Sequence, residues 1–133
     1  MARPVTNTDK THHAGMQHVA FEHEALDDLL AAYVRLKKEK IVPVMAMDEG
    51  VHICLYYQDP DHNNVELNAG NYPDQKSALA HLKNPPPGPR RAFVDPEKLI
   101  AAHQFGASPW QIHERAMSGE FAPDRPYDIR AMV

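Results

Sequence analysis

Hydrophobic positions recur in two different rhythms along the first half of the chain. In MQHVAFEH (16–23) they alternate, so that Val19 and Phe21 share one face of a strand and His18, Ala20 and Glu22 the other. From Ala25 to about Lys40 the spacing lengthens to three and four, with Leu26, Leu29, Leu30, Tyr33 and Leu36 in step, which predicts an amphipathic helix. Asp27 and Asp28 in its first turn and Lys37, Lys38 and Lys40 in its last complement the partial charges at the helix ends. IVPVMAM (41–47) is apolar, but Pro43 has no N–H to give a ladder, so the stretch reads as an edge strand or a broken one. After the turn residues Asp48-Glu49-Gly50 the alternation returns in VHICLYY (51–57), with Val51, Ile53, Leu55 and Tyr57 on one face and His52, Cys54 and Tyr56 on the other. Asp59-Pro60-Asp61 turns the chain into NVELN, where Val65 and Leu67 oppose Asn64, Glu66 and Asn68. The first 70 residues therefore spell βαβββ.

Three segments surround this module. Residues 1–14, with His12 and His13, lack any pattern and read as a flexible arm. A short helix over 73–83 closes the module, taken as 15–83, and NPPPGP (84–89) excludes regular structure, so the core is expected to end there. Beyond it, Asp95-Pro96 and Ser108-Pro109 each pair an N-cap with a proline at the first helical position, and Gly106 and Gly119 follow as stops. Residues 84–133 are thus a proline-rich linker and a helical hairpin, offering Leu99, Ile100, Phe105, Trp110, Ile112 and Met117 for burial, with 120–133 loosely ordered. The fold class is α+β: a single βαβββ module followed by a C-terminal helical tail.

Composition narrows the partners. With 133 residues, 43% hydrophobic and 24% charged, the chain is an ordinary globular domain, and its formal net charge of −4 provides no basic surface for a phosphate backbone. No apolar run approaches the ~20 residues that cross a bilayer. Nucleic acid and membrane are not expected partners. One cysteine and an N-terminus without an apolar signal core point to a cytoplasmic address.

A single helix covers one side of a four-stranded sheet, and the apolar side is the one it should cover. The opposite face then carries His18, Glu22, His52, Cys54, Tyr56 and Glu66, a set costly to bury unpaired. If the first and last strands are neighbours, His18 and Glu66 come within reach of one ion, and imidazole with carboxylate suits Fe(II), Mn(II), Ni(II) or Zn(II). Two ligands do not hold a metal firmly, so further ones must come from elsewhere. Taken singly, each residue has a plainer reading: a surface histidine, a solvated glutamate, a packed tyrosine, a small buried thiol.

The run GMQHVAFEHEALDDLLAAYVRLKKEKIVPV followed by LYYQDPDHNNVEL resembles, over residues 15–70, the vicinal oxygen chelate superfamily of glyoxalases, bleomycin- and fosfomycin-resistance proteins and type I extradiol dioxygenases. The resemblance implies that Glu66 is a carboxylate metal ligand and His18 its imidazole partner. It is nearest to the extradiol dioxygenase-like group, in which Tyr56 falls where a tyrosine hydrogen-bonds the catecholate. Two departures stand out. Glu49-Gly50 occupies the place of a His-Gly pair whose histidine is an acid/base, a role His52 is then expected to take over, and His62 stands where glycine is usual. The superfamily also encloses its metal between two modules, which implies that a second βαβββ module comes from another chain, by homodimerisation or from a separate subunit. A homodimer would bring two histidines and two carboxylates together, the glyoxalase I arrangement; a partner giving one histidine would complete a two-histidine, one-carboxylate iron site. The resemblance thus implies an Fe(II) ring-cleavage dioxygenase of aromatic-compound catabolism acting on a catechol-type diol, with Tyr56 and His52 positioning this small-molecule substrate. The alternatives are a glyoxalase-like lyase or isomerase with Ni(II) or Zn(II), a non-catalytic binding or resistance protein, and a partial subunit that docks its partner through 84–133.

Overall fold

The computed structural model describes residues 18–132. The expected arm, with His12 and His13, lies outside the described residues. In chain order the elements are β1 (His18–His23), α1 (Leu26–Lys38), β2 (Met45–Asp48), β3 (His52–Gln58), β4 (Asn64–Gly70), α2 (Gln75–Lys83), β5 (Ala92–Phe93), α3 (Pro96–Gln104) and α4 (Pro109–Met117), closed by a 3-10 turn at Ile129–Met132. They build a five-stranded sheet in the order β1-β4-β3-β2-β5, in which β1 runs parallel to β4 and the remaining pairs are antiparallel.

The period-two pattern is realised in the register. Val19 pairs with Val65, Phe21 with Leu67, and Leu55 with Leu67, so the apolar residues of three strands share one face. Onto that face α1 lays Leu26, Leu29, Leu30 and Tyr33, all buried. Glu39 and Ile41 send their N–H groups back to the Leu36 carbonyl, and Lys40 takes a left-handed φ of 62°, which stops the helix and swings the chain toward β2. Phe21 departs from the expected core: near the sheet's end it stays 54% exposed.

Four expectations are corrected. The sheet has five strands, because the end of the proline-rich linker adds β5 beside β2 through Met47↔Phe93 and Asp48↔Ala92. Consequently β2 is not an edge; it begins only at Met45, and the Ile41 and Val42 read as strand are exposed loop. The core does not end at the linker either. Leu99, Ala102, Ile112 and Ala116 lie in the same buried cluster as Ile53 and Leu55, so α3 and α4 cover the half of the sheet that α1 leaves open. Nor is the segment after α4 loose throughout, for it is anchored at two residues: Phe121 is buried and its carbonyl accepts from Asp95 N at 2.7 Å, and the Tyr127 hydroxyl donates to the Val94 carbonyl at 2.5 Å. Both tail helices start as read, the Asp95 carboxylate accepting from Glu97 N and Ser108 forming a capping box with Gln111. Of the residues offered for burial, Leu99 and Ile112 are fully buried, whereas Phe105 is 93% exposed. Among the described residues no helix is long and apolar enough to cross a membrane.

Candidate functional site

The face of the sheet opposite α1 carries the polar set, in which Cys54, Tyr56 and Glu66 are buried. Because β1 and β4 are adjacent and Ala20 faces Glu66 in register, His18 lies two residues from the glutamate on the same face. Its Nε2 stands 3.2 Å from Glu66 Oε1. Two donor atoms bound at about 2.1 Å to one ion and subtending about 100° are roughly 3 Å apart, so the pair fits a shared divalent cation. The same spacing serves a direct imidazole–carboxylate hydrogen bond. Glu66 is buried, and Asn68 Nδ2 donates to its second oxygen, Oε2, at 2.5 Å, which fixes the carboxylate plane and leaves Oε1 to face His18.

Tyr56 is the cross-strand partner of Glu66. Its ring meets the His18 ring edge-on at 5.8 Å, and its hydroxyl donates to Glu49 Oε1 at 3.0 Å. Burial, followed by the nearby Glu66 carboxylate and the charge of Glu49, raises the phenol above the ordinary tyrosine range, so it keeps its proton. Burial likewise pushes the Cys54 thiol up, with Glu49 and Glu66 adding to the effect. Met45 and Met47 on β2 complete an apolar floor under Cys54 and Tyr56.

Glu49, noted in the sequence only as a replacement, is brought into the row by the fold. Gly50, at φ 94° and with its N–H bound to Asp48 Oδ1 at 2.8 Å, makes a tight turn after it, and the Glu49 side chain reaches the Tyr56 hydroxyl. The position was visible as a replacement for an expected histidine; its contact with Tyr56 was not. His52, read as a catalytic residue, is brought to a different place. It pairs with Gly70 while Tyr56 pairs with Glu66, four residues or roughly 13 Å along the strand. There one ligand atom from each of Glu49, His52 and Cys54 lies within 4.8 Å of the others. The face thus holds one row of groups, His18 and Glu66 at one end, Tyr56 and Glu49 between, and His52 at the other. Glu22 shares a separate depression with His52 and Tyr72. At the β3–β4 turn His62 adopts a left-handed φ of 64°, and Asp59 accepts from Asp61 N and Asn63 N, so histidine stands in a conformation that glycine adopts without strain.

Comparison with known proteins identifies the family to which the chain is similar. The sequence model of the Glyoxalase/Bleomycin resistance protein/Dioxygenase superfamily matches residues 1–67, just over half of the chain. Biphenyl-2,3-diol 1,2-dioxygenase 2 of Rhodococcus globerulus is 36% identical over 122 residues, covering 90% of this chain and 64% of that protein. Biphenyl-2,3-diol 1,2-dioxygenase 3 of the same organism is 31% identical over 104 residues, covering 77% of this chain and 55% of that protein. The chain therefore spans less than two thirds of the length of either relative. Since a tenth of the chain lies outside the first match, that likeness runs well past residue 67 into the tail helices. No solved structure matches.

Proposed function

The chain belongs to the Glyoxalase/Bleomycin resistance protein/Dioxygenase superfamily, and from that premise we propose that it is a metal-dependent, extradiol dioxygenase-like enzyme acting on a catechol-type vicinal diol. The observation that carries this reading is the His18 Nε2–Glu66 Oε1 pair at 3.2 Å with the protonated Tyr56 beside it. His18 and Glu66 would hold the ion, most simply Fe(II), whose Lewis acidity and one-electron chemistry dioxygen insertion requires. Asn68 keeps Glu66 in its binding orientation. Tyr56 turns its O–H from Glu49 toward a diol oxygen and so fixes the ring, while the freed Glu49 carboxylate is placed to take a proton from the substrate. Met45, Met47 and Cys54 give the ring an apolar floor and keep water from it. His52, beyond Glu49 at the far end of the row, acts on the substrate's outer portion rather than at the ion. A second βαβββ module, from another copy or a separate subunit, supplies the remaining ligands, and the exposed Phe21 on β1 supports a partner there.

Oxygen uptake with a panel of catechols, Fe(II) and a reductant tests the proposal. Uptake that requires a vicinal diol is expected; none from metal-loaded, assembled protein would refute it. Glu49 favours one competing reading. A carboxylate at the acid/base position suits a glyoxalase-like proton transfer in a homodimer with Ni(II) or Zn(II), and turnover of a hemithioacetal without oxygen would distinguish it.

A further inference from the structure

A second group of polar and aromatic side chains converges at the β2–β3 turn, on the helix-covered side of the sheet, where the proposed chemistry makes no use of it. Asp48 is completely buried. Its Oδ1 accepts from Gly50 N at 2.8 Å and Asn71 Nδ2 at 3.0 Å, and its Oδ2 lies 2.7 Å from His113 Nδ1 on α4. A carboxylate held by three donors cannot turn away, and by engaging Nδ1 it fixes the His113 ring, so that in the neutral imidazole Nε2 is the nitrogen left to accept. His113 is itself only 7% exposed, yet it lines a cavity of about 320 Å³.

The walls of that cavity are flat and apolar. Trp110 lies 4.9 Å from the His113 ring and 5.3 Å from the Tyr72 ring, and the linker prolines also line the cavity. The Tyr72 hydroxyl is already engaged with His81 Nδ1 at 2.6 Å. The His81 ring fills the space over Gly50, where a Cβ would fall 2.7 Å from its Nε2, so glycine is required both by this contact and by its φ of 94°. Arg90 and Glu114 at the rim oppose each other in charge. A cavity of about 150 Å³ already accommodates benzene, and apolar walls with a few aimed polar groups are the usual build of a ligand site.

We propose that this cavity is a second binding site, for a small uncharged aromatic molecule carrying a hydroxyl group. Its O–H donates to His113 Nε2, and its ring packs against Trp110 and the linker prolines. The site is separate from the His18–Glu66 pair and its occupancy does not depend on the reaction proposed there.

The chain has one tryptophan, so the Trp110 indole N–H gives a single reporter signal in two-dimensional NMR of the full chain. The probe is phenol, which lacks the second oxygen of a vicinal diol. A saturable shift of the indole signal is expected, together with shifts at Tyr72 and His113, and with toluene binding about tenfold more weakly for want of one hydrogen bond. His113→Phe should weaken phenol by a similar factor. Should that variant misfold, Trp110→Ala removes a wall that is 42% exposed, and loss of saturable shifts at the Tyr72 amide then carries the test. Shifts that stay linear in phenol, equal affinity for toluene and phenol, or shifts centred on His18 and Tyr56 would each overturn the proposal.

Discussion

Tyr56 is a donor by construction, because burial and two carboxylates oppose its ionisation together. Replacing Glu49 with Gln removes one of those charges and leaves the burial. Tyr56 should then ionise at a lower pH than in the native protein while staying above the ordinary tyrosine value of 10.0, and an ultraviolet tyrosine titration measures it; an unchanged titration would mean that Glu49 does not act on the phenol. Asn68 offers a separate handle on the same site. If Glu66 is a metal ligand, Asn68→Ala frees a carboxylate oriented through Oε2, and divalent-metal affinity in equilibrium dialysis should fall about 10- to 100-fold. Unaltered affinity would speak against Glu66 as a ligand. That His18, Tyr56 and Glu66 share a face was legible because alternation within each strand separates its apolar from its polar side and the apolar sides must meet in the core; their roles as ligands and substrate contact came only from the family resemblance. The contacts of Asp48, which ends β2, and of Glu49 in the turn after it were not legible, since their partners, His113 and Tyr56, are 65 and 7 residues away and are met only after folding.

At the scale of elements, the helical hairpin is a structural half of the sheet's cover. Its starts were legible because Asp95-Pro96 and Ser108-Pro109 are local signals needing no tertiary partner. Its destination was not: β5 is two residues long and shows no period, and without it nothing in the chain says that the linker returns to β2. Burial gives this a measurable consequence. Ile112 is fully buried beside Ile53 and Leu55, so Ile112→Ala should cost about 2–5 kcal/mol in urea unfolding, within a single transition. Phe105→Ser, at a residue 93% exposed, should stay within about 0.5 kcal/mol. A hairpin that melted separately would mean that Ile112 does not share one cooperative core with Ile53 and Leu55.

The whole molecule should be sensitive to alkali before it is sensitive to mild acid. Burial pushes Tyr57 up to about 12 and, with the charge of Asp95, Tyr127 up to about 12. Raised folded-state values mean that the unfolded chain binds fewer protons above pH 10, so stability is intact below that pH and falls as pH climbs from 10 to 12. Thermal unfolding across that interval should show a steadily falling midpoint, and Tyr127→Phe should flatten the fall. Assembly is the larger question at this scale. Among the described residues nothing pairs with the outer side of β1, whose Phe21 is exposed, and on the function proposed above one chain would supply only His18 and Glu66 of the ligands an ion needs. Native mass spectrometry of protein purified without chelator reads both quantities at once. One metal per two identical chains is expected if the second module is another copy, and one metal in a complex with a different protein if it is a separate subunit. The first result favours two histidines with two carboxylates and proton-transfer chemistry; the second leaves room for a two-histidine, one-carboxylate iron site. A monomer that binds one metal tightly by itself would remove the need for a second module and with it the shared-centre proposal.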